Sequence, residues 1–152
     1  MLLYPIYKAI KQHLGTEVPV FFYLGQYTRG KDNTSYRVPA IYIEMPKDAD
    51  LKFYGKKLLA AKNVPIKIHY ISYAPFKSVD NTVQDTAIAT HENKLKEIDK
   101  LMDGWNATNL EGKLLTQQLL PTNSNTLNFD GTNVYSIITY TTEIYSRHLQ
   151  ES

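Results

Sequence analysis

The run HYISYAP (69–75) is the first place where this chain could do chemistry, because it sets His69 three residues before Ser72. An imidazole within hydrogen-bond reach of a serine hydroxyl can take its proton and make it a nucleophile. The spacing works against that role. Ile66, Ile68, Tyr70 and Ser72 alternate with Lys67, His69, Ile71 and Tyr73, the pattern of a strand whose successive side chains point to opposite faces. His69 and Ser72 then lie on opposite sides of a sheet. Ser72 also lacks the GxSxG turn that exposes a nucleophilic serine.

The other chemistry-bearing residues are equally scattered. His13, His69, His91 and His148 include no HExxH pair, and the chain has no cysteine, so thiolate catalysis, disulfides and cysteine-bound zinc are excluded. Glu17, Asp32, Asp48, Asp50 and Asp130 fall in expected turns, where backbone geometry favours acidic residues. The seven glycines form neither a GxxxxGK[ST] nor a GxGxxG phosphate cradle. No cofactor and no metal is therefore expected. An enzyme would need a site gathered from distant residues such as His69, Asp130 and Glu143.

The elements that would have to position any site read clearly in places. Residues 3–14 make an amphipathic helix, with Pro5 in its first turn, Ile6, Ala9, Ile10 and Leu14 on one face, and Gly15 as its stop. VPVFFYLGQY (18–27) reads as a buried strand, and TRGKDNTSY (28–36) as a loop joining two antiparallel strands. VPAIYIEMP (38–46) returns as a strand with Ile41, Ile43 and Met45 on a buried face and Ala40, Tyr42 and Glu44 on a wetter one. Residues 51–60 fit a short strand, a bulge at Gly55 or a helical turn, with strand favoured, and 63–75 is a strand.

A long helix follows over 82–103. Its stripe is Ile88, His91, Leu95, Ile98, Leu101 and Met102, its outer face carries a Glu92–Lys96 pair, and Gly104 is its cap with Trp105 folding back onto it. LLTQQLL (114–120) is a strand candidate and NTLNFD (125–130) a short strand. Asp130-Gly131 is a hairpin signal, and VYSIITYTTEIYSR (134–147) is the longest strand-like run. Helix, strands, helix, strands makes one α+β domain over 1–152: a two-layer sandwich, a mostly antiparallel sheet with two helices packed on one face.

Composition bounds the partners. The net charge of +2, from 17 basic and 15 acidic residues, is too balanced to demand nucleic acid. No run approaches the ~20 apolar residues of a membrane span, and MLLYPIYKAIKQHL lacks the layout of a secretion signal, so no membrane partner is expected. Twelve tyrosines against five phenylalanines favour contact surfaces, because tyrosine packs as an apolar body with a polar tip. The candidate contacts are Arg29, Lys31 and Arg37 around the first polar loop, and Lys52, Lys56 and Lys57 in the lysine-rich stretch 52–62. Solvated loop tips and edge-strand lysines explain the same residues without a partner.

The order of elements resembles the tail terminator, or head–tail joining, proteins of long-tailed phages. The resemblance rests on the opening helix YKAIKQHLG, the strand Pro39–Ile43, the strand NVPIKIHYIS, the helix HENKLKEIDKLMDGW and the closing strand VYSIITYTTEIYSR. It spans nearly the whole chain and contains no diagnostic motif. It implies a non-enzymatic virion protein, assembled in the host cytoplasm as a ring, commonly a hexamer. Such a ring caps the tail tube and offers a face to head or neck proteins. The alternative is a small bacterial module that binds protein or nucleic acid.

Overall fold

The first helix forms where its apolar spacing and its terminal residues agree. In a computed structural model, which describes residues 3–25, 37–55, 60–73, 81–122, 126–129 and 133–146, α1 spans Tyr4–Leu14. Proline stands in its first turn, and Gly15 ends it at φ 81°, its N–H donating to the carbonyl of Gln12. A positive φ is open to glycine at little cost, so the helix stops there. Ile6 and Ile10 are fully buried beneath it.

The sheet is built on two long strands, β4 (Ala60–Tyr73) and β7 (Asn133–Tyr145), which run antiparallel along their whole length. The longest strand is thus β4 and not the closing one. Its first residue, Ala60, ends the stretch 51–60, and β3 (Phe53–Tyr54), earlier in that stretch, folds back onto Ala60 and Ala61. β2 (Ala40–Glu44) lies antiparallel on the other edge of β4, and β1 (Val20–Phe22) lies outside β2. β5 (Leu120–Pro121) and β6 (Thr126–Phe129) both pair with the free side of β7.

Two expectations about the first strands need correction. The strand expected over 18–27 is only three residues long, and it pairs parallel to β2. A parallel neighbour needs a crossover of about a dozen residues, and the chain from 23 to 39 is long enough to make one. The loop 28–36 itself lies outside the described residues. The face of β2 expected to be wet is also closed: Ala40 and Tyr42 are buried with Ile71, against Phe21, Tyr23 and Tyr135.

Helix α2 spans Asn81–Met102 and packs, with α1, on one face of the sheet. The architecture is α+β, with a mostly antiparallel sheet and two helices on one side. Ile6, Ile10, Ile98 and Met102 of the helices meet Ile41, Ile43, Ile66, Ile68, Ile138 and Tyr140 of the strands. The Tyr140 hydroxyl donates to Asp99 Oδ1 at 2.6 Å, and burial, reinforced by that carboxylate, raises its pKa far above the ordinary tyrosine value. Leu101, expected in the buried stripe, is 41% exposed: the stripe passes through Ile98 and Met102, and Leu101 sits beside it. The ion pairs of α2 join Lys94 to Glu97 and to Glu17, not Glu92 to Lys96.

The segment after α2 closes one end of the sandwich. The Gly104 N–H donates to Leu119 O, and Thr116 bridges to Ile144 of β7, so only the end of LLTQQLL enters a regular strand. Trp105 turns toward α1, where its ring stacks on His13 with centroids 4.1 Å apart.

Ile68 is fully buried between the helices and the centre of the sheet. Ile68→Ala should lower the unfolding free energy in urea by about 2–5 kcal/mol. Leu110→Ala, at a side chain 91% exposed, should change it by less than about 0.5 kcal/mol.

Candidate contact surfaces

Each described histidine is engaged in packing. His69 lies on the sheet face away from the helices, its Nε2 3.1 Å from Glu44 Oε1 and its ring stacked on Tyr23 at 4.1 Å. Ser72 points to the helix face, as the alternation requires. Its partner there is His91 of α2: Ser72 Oγ lies 2.7 Å from His91 Nδ1, and Ser136 Oγ of β7 lies 2.9 Å from His91 Nε2. The Tyr70 ring stacks on the imidazole at 4.8 Å.

A serine beside an imidazole has the form of a nucleophile and its base. Here His91 is fully buried, and both of its nitrogens end on serines. Each serine hydroxyl can donate or accept, so the pair satisfies a neutral ring, with one nitrogen donating and the other accepting. Burial lowers the pKa of His91 to about 4. The arrangement fastens α2 to β4 and β7. Burial lowers His69 to about 4 as well, against the opposing pull of Glu44.

The distant trio His69, Asp130 and Glu143 does not converge among the described residues. His69 stands opposite Ile137 in the ladder, six positions along β7 from Glu143, or about 20 Å at the rise of a strand. Asp130 and His148 lie outside the described residues, among which no three His, Asp or Glu side chains come together as a metal site would need.

Of the nominated contact residues, Arg29, Lys31, Lys56 and Lys57 lie outside the described residues. Arg37 is exposed just before β2, and its carbonyl accepts a hydrogen bond from the Tyr42 hydroxyl at 3.3 Å. Lys52 is exposed beyond the other end of β2, beside a hollow of about 350 Å³ that Asp50, Tyr54 and Lys62 also line. The two therefore mark opposite ends of one strand and make no single patch. Asp48 and Asp50, in a 3-10 turn just before Lys52, offset the charge there.

A larger groove of about 560 Å³ lies between α1 and the turn that follows α2. Tyr4, Lys8 and His13 line one side, and Trp105, Leu110 and Glu111 the other. His13 Nε2 donates to the carbonyl of Leu101 at 2.7 Å, which holds the imidazole against Trp105. The turn is set by Asn109, whose Oδ1 accepts from the backbone N–H groups of Glu111 and Lys113. That geometry presents Leu110 to solvent. No local sequence pattern marks this groove, because its two walls are some hundred positions apart and Leu110 sits in a polar segment.

No family model matches the chain, and no curated protein does. Among solved structures, a chain of "Virion of native gene transfer agent (GTA) particle" is similar at 10% identity and a TM-score of 0.49, with 95% of this chain and 97% of that one covered. A likeness of that degree assigns no role to this protein.

The histidines make a prediction in acid. For a histidine whose folded pKa is depressed, the unfolded chain binds the proton first as pH falls. Stability is then whole above about 6.5 and declines toward about 4, where the loss levels off. For His91 that loss is roughly 3 kcal/mol. Urea unfolding between pH 7 and pH 4 should show this decline, and His91→Gln should reduce its slope by about one proton.

Proposed function

We propose that the protein is a non-enzymatic structural subunit of a phage or prophage tail: a terminator, or head–tail joining, protein. One α+β domain over residues 1–152 assembles with copies of itself into a ring. The ring caps the tail tube in the virion, after assembly in the host cytoplasm, and meets head or neck proteins on its other side.

The observation that carries this reading is the succession of elements. Each of the five segments on which the resemblance rests forms an element of the kind the family has, in the same order: α1, β2, β4, α2 and β7. Two further facts support it. The residues that could have served catalysis, His69, Ser72 and His91, are engaged in holding the fold together. Arg37 and Lys52 mark two different places on the surface, and a head-to-tail ring joins two unlike patches.

Light scattering across a concentration series tests the reading. A ring of about six subunits of 17.4 kDa would weigh near 104 kDa. Reversing charge with Arg37→Glu or Lys52→Glu should shift the equilibrium toward the single chain by about tenfold or more. A mass of 17.4 kDa at every concentration, unchanged when purified tail tubes are added, contradicts the proposal.

A further inference from the structure

We infer that the groove between α1 and the turn at 109–112 is a docking site for an acidic protein segment that carries an apolar anchor residue. Two independent features of the groove carry this: its charge and the residues that it exposes.

The charge is one-sided. Helix α1, YPIYKAIKQHL, contains Lys8 and Lys11 and no acidic residue. Among the described residues neither lysine has a carboxylate partner; each ammonium lies over a tyrosine ring, Lys8 above Tyr4 at 5.8 Å and Lys11 above Tyr7 at 5.9 Å. The one acidic residue that lines the groove, Glu111, is already paired with Lys113 at 3.4 Å. A carboxylate bound in the groove would find the Lys8 ammonium in the lining, with Lys11 further along α1 outside it, and no uncompensated negative charge.

The apolar part is equally specific. Leu110 is 91% exposed and Tyr4 51%, facing each other across a groove backed by the His13–Trp105 stack. Large side chains held out by an ordered turn lose little conformational freedom when a partner covers them. An anchor such as leucine or phenylalanine, seated between Tyr4 and Leu110, would leave a flanking carboxylate beside Lys8, with Lys11 in reach only of a segment that runs on along α1 beyond the groove. Apolar anchors in a cleft, rimmed by complementary charge, are the usual source of affinity at protein interfaces. The assignment stands independently of the tail reading.

Trp105 is the chain's one tryptophan and lies in the groove, so binding can be read directly. The whole protein would be titrated with a synthetic peptide that sets a leucine between glutamates, alongside the same peptide with lysines for glutamates. The acidic peptide should shift Trp105 emission to the blue saturably, and the basic one should not. Lys8→Glu and Leu110→Asp, both at exposed positions, should each weaken binding about tenfold or more, while Lys96→Glu, exposed on α2 and outside the groove lining, should leave it unchanged. No saturable shift up to about 1 mM peptide, or equal affinity in the two groove variants, would overturn the inference. So would a fall in solution mass on Leu110→Asp without any peptide effect, since a second copy of the chain would then fill the groove.

Discussion

Everything else in the structure hangs from the antiparallel ladder between β4 and β7. Each strand is the other's principal neighbour, and the remaining strands attach to their outer sides. The pleat of this ladder decides which side chains meet the helices. In its register Ile66, Ile68, Ile138 and Tyr140 face the core, while Lys67, His69, Ile137 and Thr139 face away. A slip of one residue in β4 would put Lys67 and His69 under α1 and α2. Burying an unpaired lysine there would cost far more than the strand's hydrogen bonds could return.

One irregularity keeps that register compatible with the ends of the strands. Between Ala61 and Val64 the chain advances three residues while β7 advances only two, from Ile144 to Thr142. The extra residue is a bulge, and it lets two residues separated by an odd interval, Ala61 and Val64, both enter the core. Lys62 and Asn63 are turned to solvent, and Asn63 takes φ 56°, a left-handed conformation that asparagine tolerates better than most residues. The His91 bracket then holds α2 over the opposite end of the ladder through Ser72 and Ser136. Apolar contacts alone would let the helix slide; a neutral imidazole with two fixed serine partners specifies its position.

What the sequence made legible was local. The three-and-four spacing of Ile6 and Ile10, and the alternation through Ile66, Ile68 and Tyr70, are periodic signals that need no knowledge of a partner, and both elements formed where expected. What failed was relational. The parallel pairing of β1 with β2 depends on the path of a long connection, and TRGKDNTSY has the polar composition of any loop. His91 belongs to the apolar stripe that the helix spacing marks, but its two serines come from strands 19 and 45 residues away. The groove at Leu110 was invisible for the same reason. Its walls join only after α1 and the end of α2 pack together, and the polar flanks of Leu110 hide a leucine that the Asn109 turn holds outward. Residue type alone marks the charged contact candidates in the sequence, and Arg37 and Lys52, which the structure describes, stand apart at the two ends of β2.

A fold held by a central ladder, with His69 and His91 turned inward and Tyr4, Tyr54, Tyr73, Lys8 and Leu110 turned outward, suits a protein whose work is contact. In the function we propose, that contact builds a ring on a tail tube. Electron microscopy of purified, uncapped tail tubes incubated with the protein tests it most directly. The account predicts a ring of density at one end of each tube, absent when the protein is left out. Tubes whose two ends stay bare at saturating protein would contradict it.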